Sequence, residues 1–368
     1  MIGRREVLGI GAGLATALAL ALRPLSAAAS ALHRAPALHP ALRLRAGDTV
    51  GLIEPAGFTE GPERIEMVKQ TIEGMGLVPR LGAHVGTQFG YLAGTDAERA
   101  ADVNAMYADP DVRAIFAVRG GWGCERILPL LDWDTIRAHP KLLIGFSDIT
   151  ALHLAFAARA HFATIHGPVA SSSWPKVSWE SLWRMGFSGQ TPALDLAREG
   201  EPLTVLHPGT ARGRLLGGNL AVLTALVGTP WLPDFTGAIL FLEEVREAEY
   251  RVDRMLSQLQ LSGVLGKLSG VVFGQCSHCA TEEADYVGFT VAQVLEQYFA
   301  PLGVPAVSGA NIGHVYGQIC LPSGAQVELD TAAGTLRLLE PIVGEQAPKE
   351  GPGAGDPRRD KVDRSGRR

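Results

Sequence analysis

Cysteine is scarce in this chain: four in 368 residues cannot make the disulfide framework of a small secreted scaffold. An excess of basic charge is also missing. With 33 Lys and Arg against 38 Asp and Glu, and a formal net charge of −5, no broad cationic surface is offered to nucleic acid. Small molecules or peptides are therefore the expected partners. The sequence holds no Walker loop, no H-E-x-x-H and no dinucleotide fingerprint, so no cofactor is expected. Cys276-Ser277-His278-Cys279 lacks the second ligand pair that zinc normally needs. A redox C-x-x-C normally opens a helix after a strand. A structural disulfide or plain local packing is the reading left for these cysteines, with no metal. A membrane-spanning run is wanting as well, because the apolar stretch over residues 7–22 is short and broken by Gly9, Gly11 and Gly13. Internal repeats are absent.

What is present begins with an address. Arg4 and Arg5 precede that mild apolar stretch, and Ala27-Ala28-Ala29 offers a cleavage site. This pattern resembles a twin-arginine export signal over residues 1–29, which predicts an exported, periplasmic protein without stable membrane insertion after processing. Residues 30–43, rich in Ala, Pro and His, read as a linker. Beyond them, 46% hydrophobic and 19% charged residues describe a globular chain long enough for two domains. Short apolar runs alternate with helical stripes over residues 44–175, among them Ile65, Val68, Ile72 and Met75. A capping-box pair, Thr95 and Glu98, opens a further helix. The alternation predicts an α/β fold, a Rossmann-like parallel sheet with helices on both faces. Residues 176–208 read as a connection. A second β/α domain with a mixed sheet is expected over 209–341, and a disordered tail over 342–368.

Chemistry concentrates where strands end, since sites in such sheets form beyond the carboxyl ends. In KLLIGFSDITALHL, residues 141–154, an apolar run stops at Gly145 and Ser147 opens a helix. A strand, tight turn and helix can lift a hydroxyl to the sheet rim and aim helix N–H groups at its target. Ser147 is thus a candidate nucleophile. The competing reading is that Ser147 or Asp148 only caps the helix, and Ile149 stands where the usual G-x-S-x-G has glycine. Of the ten histidines, His153 lies six residues along the same helix, roughly 9 Å away, too far to serve as base. His166 ends a strand on the same rim and is a candidate substrate contact. His314 sits in a glycine-flanked loop where packing does not call for it. Glu243 and Glu244 end a buried strand, and only one of them can face a given site. A solvated strand end explains that pair equally well.

Several long phrases decide between these readings: AGTDAERAADVNAMYADPDVRAIFAVRGGWGCERILPLLD, PKLLIGFSDITALHLAF, HGPV, GRLLGGNLAVL, ILFLEEVREAEYRVDRMLSQL and GHVYGQICLPSGAQVELD. Together they resemble the LD-carboxypeptidase family, serine peptidases that trim murein tetrapeptides and are related to microcin C self-immunity peptidases. The resemblance implies a Ser–Glu–His triad split between two domains, falling on Ser147, Glu243 and His314. It implies a swivelling C-terminal β/α domain and acyl transfer without a metal. Backbone N–H groups of Gly121 and Asp148 are the expected oxyanion donors, with Arg119, Trp122 and His166 as substrate contacts; Trp122 stands where the family usually has Tyr. The implied partner is a murein tetrapeptide, and a homodimer is compatible with the reading. Two alternatives remain. A microcin-immunity peptidase would act in the cytoplasm, against which the export signal argues. A non-catalytic wall-peptide-binding module would not need the triad residues.

Overall fold

The computed structural model describes residues 39–281 and 285–345. The export signal expected over residues 1–29 lies outside them. Apolar and β-branched segments bounded by glycine and proline form the first strands: β1 (Ala41–Leu42), β2 (Thr49–Ile53), β3 (Val78–Leu81), β4 (Val112–Ala117), β5 (Leu142–Gly145) and β6 (Thr164–His166). Helices cross between them. In helix Pro62–Gly74, proline occupies the first turn, where its missing N–H costs nothing. Helix Asp96–Ala108 starts at Thr95 with both capping-box bonds formed, each satisfying an N–H the helix cannot pair internally.

The second half supplies β7 (Ala193–Asp195), β8 (Thr204–His207), β9 (Thr210–Asn219), β10 (Ile239–Val245), β11 (Gly270–Ser277) and β12 (Ala306–Ser308). The last strands are β13 (Leu321–Ser323), β14 (Gln326–Asp330), β15 (Thr335–Leu338) and β16 (Val343–Gly344). Two sheets result. The first has the order β13-β6-β5-β4-β2-β3, parallel except for the antiparallel β13. The second, β7-β15-β14-β9-β10-β11-β12-β8, is parallel at its centre (β9 to β12) and antiparallel toward both edges.

Successive residues of the central strands feed opposite faces, as the period of two requires. Ile115 and Ala117 join one apolar cluster, whereas Ala114, Phe116 and Val118 join the other. In β10, Leu240 and Leu242 enter the first cluster, and Ile239 and Phe241 enter the second. Both faces of each sheet are thus covered, which is why these strands read as continuous apolar runs.

Some segment boundaries differ from the sequence expectation. The expected connection over 176–208 carries β7 and β8, which close both edges of the second sheet. The expected linker contains β1, which pairs with β16 at the start of the expected tail. Ala41 and Val343 bury their side chains there, a contact far apart in sequence that no local pattern announces. The helix Val291–Phe299, with Val294, Leu295 and Phe299 buried, is an element beyond the sequence expectation. No helix among the described residues is long and apolar enough to cross a membrane.

Phe241 tests how much the central strand of the second sheet matters. It is fully buried, with its ring edge-on to His166. Phe241→Ala should cost about 3–5 kcal/mol, read as a lower urea midpoint in a fluorescence-monitored unfolding curve.

Candidate active site

The site begins with an abrupt turn. β5 is buried throughout and ends at Gly145, where a Cβ would lie 3.0 Å from Ile149 and 3.1 Å from Ala117. Phe146 is extended, and Ser147 then adopts φ 62°, a left-handed conformation that is unfavourable for a side-chain-bearing residue. A helical turn, Ser147–Ile149, leads into helix Thr150–Arg159. The turn pushes the Ser147 side chain off the sheet rim. Opposite stands Gly120, whose Cβ would come within 3.1 Å of the Ser147 Cβ and 3.3 Å of its Oγ. Absence of a side chain at Gly120 therefore lets backbone approach the hydroxyl. Neither Ser147 nor Asp148 caps this helix with its side chain. The Asp148 carboxylate instead accepts the Cys124 N–H at 2.8 Å, fastening the loop 120–123 to the turn.

The other half of the site comes from the second sheet. Glu243 lies within β10 and is fully buried. His314 Nδ1 is 2.7 Å from Glu243 Oε2, and its Nε2 is 3.1 Å from Ser147 Oγ. A carboxylate only accepts, so Nδ1 carries the proton and Nε2 is left to accept from the serine hydroxyl. Gly313, at φ 101°, permits this approach, because a Cβ there would lie 2.7 Å from the Glu243 Cβ and Oε2. Ser277 Oγ donates to the His314 carbonyl at 2.9 Å, and Asn311 Nδ2 closes the loop on Gly317 O at 2.8 Å. Ser277 lies between Cys276 and Cys279, which form a disulfide.

Glu244 faces away from His314. Its Oε1 accepts from Asn219 Nδ2 at 3.0 Å and its Oε2 from the Ala221 N–H at 2.8 Å, at the start of helix Leu220–Ala225. Desolvation, and the neighbouring Glu243 charge, push its pKa up, against the pull of these bonds. The acidic pair is therefore no solvated strand end; both members are buried.

Ser147 and His314 open onto a cavity of about 800 Å³. Arg119, Gly120, Gly121 and Ser171–Ser173 also line it, together with one face of helix Pro62–Gly74. Gly121, at φ 124°, packs so closely on Gly57 that a Cβ would meet its backbone at 3.1 Å. Arg119 Nη1 donates to the Phe58 carbonyl at 2.6 Å. Two expected substrate contacts sit elsewhere. Trp122 is 69% exposed and does not line the cavity. His166 is fully buried, with its ring against Phe146, Phe241 and His153, and neither ring nitrogen has a hydrogen-bond partner. Burial pushes its pKa well below the ordinary histidine value, so it is a neutral packing group under the turn. Being at a strand's carboxyl end was not enough, because Phe146 covers that side of the ring. Ser171, Ser172 and Ser173 are not distinguished by the sequence, because loop residues of this type carry no periodic signal.

Two family models match the chain: the LD-carboxypeptidase N-terminal domain over residues 50–167 and the LD-carboxypeptidase C-terminal domain over residues 212–329. This chain belongs to the LD-carboxypeptidase family. Family membership makes it a carboxypeptidase-type hydrolase. Among its relatives, a Bacillus subtilis protein named "Probable murein peptide carboxypeptidase" is 38% identical over 83% of this chain and 96% of its own length. The murein tetrapeptide carboxypeptidase of Pseudomonas aeruginosa is 35% identical over 72% of this chain and 87% of its own. The microcin C7 self-immunity protein MccF of Escherichia coli is 28% identical over 82% of this chain and 96% of its own. A solved structure of MccF in complex with glutamyl sulfamoyl guanosine superposes with a TM-score of 0.74, at 25% identity over 83% of this chain and 99% of that one.

In this family member Asp148 has a pKa pushed up to about 6, chiefly by burial and secondarily by Glu125. A raised folded-state pKa favours folding fully only below the unfolded value near 4, and that advantage is lost as pH rises through about 6. Asp148→Asn, which keeps an acceptor for Cys124 N–H, should therefore raise stability by about 1–3 kcal/mol at pH 8. The gain should vanish near pH 4, as thermal melts of both proteins across that range would record.

Proposed function

We propose that this protein is a serine LD-carboxypeptidase that removes the terminal D-alanine from murein tetrapeptides. The observation that carries the reading is the single imidazole of His314, bonded at 2.7 Å to a buried carboxylate and at 3.1 Å to a strained serine hydroxyl beside an open cavity. Family membership and the murein tetrapeptide relative support the substrate class.

In the proposed reaction Ser147 Oγ attacks the carbonyl carbon of the L-centred residue while His314 Nε2 takes its proton. Glu243 holds the ring by Nδ1 and offsets the imidazolium charge. The oxyanion is received by the N–H of Asp148, in the first helical turn where it has no intrahelical partner, and by that of Gly121. Collapse breaks the C–N bond, and His314 returns the proton to the departing D-alanine amine. Water, deprotonated by the same imidazole, then releases the acyl half from Ser147. Arg119 receives the carboxylate of D-alanine. A substrate of the aminoacyl-sulfamoyl type, as in the MccF complex, would offer a sulfamoyl nucleoside in place of that carboxylate.

Purified protein, incubated with murein tetrapeptide and with an aminoacyl sulfamoyl nucleoside, tests the reading by mass spectrometry. Release of D-alanine with tripeptide supports it, and cleavage of the nucleoside alone overturns it. Ser147→Ala should lower turnover by roughly 10³-fold or more while the protein stays folded. Glu243→Gln should lower kcat strongly, and Glu244→Gln much less, since its carboxylate faces helix Leu220–Ala225. A near-normal Glu243→Gln variant would remove Glu243 from the proposed relay.

We further propose that Arg4 and Arg5 direct export of the folded protein to the periplasm. Replacing both by Lys should leave precursor inside the cell, detected by immunoblot of fractionated cells; unchanged export of that variant would contradict the assignment.

A further inference from the structure

The cavity beside Ser147 inverts the charge of the molecule around it. The chain carries a formal −5, yet among the described residues the cavity is lined by two guanidinium-bearing side chains, Arg64 and Arg119, and by no carboxylate. Arg64, Met67, Val68 and Thr71 recur at helical spacing, so one face of helix Pro62–Gly74 forms this wall. The acidic neighbours of Arg64 on that helix turn elsewhere. Glu66 pairs with Lys69 at 2.7 Å, and Glu63 Oε2 lies where a Cβ of Gly61 would be, 2.5 Å from it. Arg119 is tied to the loop after β2 through Phe58 O. Among the described residues, Arg64 has no such tether.

We propose that Arg64 forms a second anion subsite, which selects peptides carrying a carboxylate on the half that becomes the acyl-enzyme. The proposal rests on the reading of the site as a carboxypeptidase. D-Alanine carries one carboxylate and a methyl group, so Arg119 satisfies the leaving half. A second anionic group can then come only from the acyl half. An arginine on the opposing helix provides planar, paired N–H donors for a carboxylate. Hydroxyls of Ser171, Ser172 and Ser173 around the same cavity supply neutral donors without competing charge. A substrate whose acyl half is neutral would leave Arg64 with water alone.

The test uses two peptides ending in D-alanine that differ only in whether the acyl-half carboxylate is free or a carboxamide. Wild type should favour the free acid in kcat/KM by about twofold to fivefold, the range expected for a partly screened ion pair. In Arg64→Gln the ratio should fall to about one, through KM; Arg64→Lys should keep much of it, and 0.5 M salt should reduce it in wild type. An unchanged ratio in Arg64→Gln, or no preference in wild type, overturns the proposal. Binding of the same peptides to Ser147→Ala by calorimetry separates the two claims. An acid preference in binding that Arg64→Gln abolishes, with neither peptide cleaved by wild type, would refute the carboxypeptidase reading and leave the subsite standing.

Discussion

One imidazole joins the two sheets, and most of the surrounding structure keeps it in place. Ser147 rises from the end of β5 in the first sheet, and Glu243 sits in β10 of the second. His314 touches both. Hydrogen bonds of 2.7 and 3.1 Å weaken steeply with distance and angle, so a small slip between the sheets would break the path. The chain guards against that slip close to the histidine. It leaves the second sheet after β12, passes through the His314 loop, and enters the first sheet as β13, with Leu321 paired to His166. On the other side, Thr150 Oγ1 accepts the Asn219 N–H at 2.9 Å, only three residues beyond Ser147. Asn219 is in turn held by Glu244. The carboxylate next to the relay thus ties the sheets together from the opposite face of β10.

This arrangement is costly. Ser147 is held at positive φ, Asp148 and Glu244 are buried with raised pKa values, and His166 is enclosed with both nitrogens unpaired. Each costs on the order of 1–3 kcal/mol. The two apolar clusters on either side of the sheets offset these costs. These four residues lie within the turn, the β10 end and the strand beneath them, beside the place where the proposed reaction would have to position its carbonyl.

Much of this was legible in the chain itself. Buried strands in β2, β4, β5 and β10 are continuous apolar runs, and the Thr95 to Glu98 pair marked a helix start that is present with both its bonds. Ser147, His314 and the pair Glu243–Glu244 stand out as chemistry-bearing residues at strand ends or in a glycine-flanked loop, and the resemblance to the LD-carboxypeptidase family picks Glu243 from the pair. The period of two already required the neighbouring glutamates to part. What could not be read were features set by distant partners. Nothing near Ala41 forecasts its pairing with Val343. Only the placement of Phe146 over His166 decides that this histidine is packing rather than contact. Arg64 looked like an ordinary polar helix residue until the cavity gave it a direction.

The central claim is that Ser147 Oγ bonds to the carbonyl carbon of an L-centred residue. A peptidyl boronic acid built on the acyl half of the tetrapeptide tests it directly, since boron accepts an activated hydroxyl to form a tetrahedral adduct. Native mass spectrometry with boron NMR should find one tetrahedral adduct per chain, competitive with tetrapeptide and lost in Ser147→Ala. A wild-type enzyme that cleaves tetrapeptide unhindered by saturating boronate, or an adduct that persists in Ser147→Ala, would contradict the account.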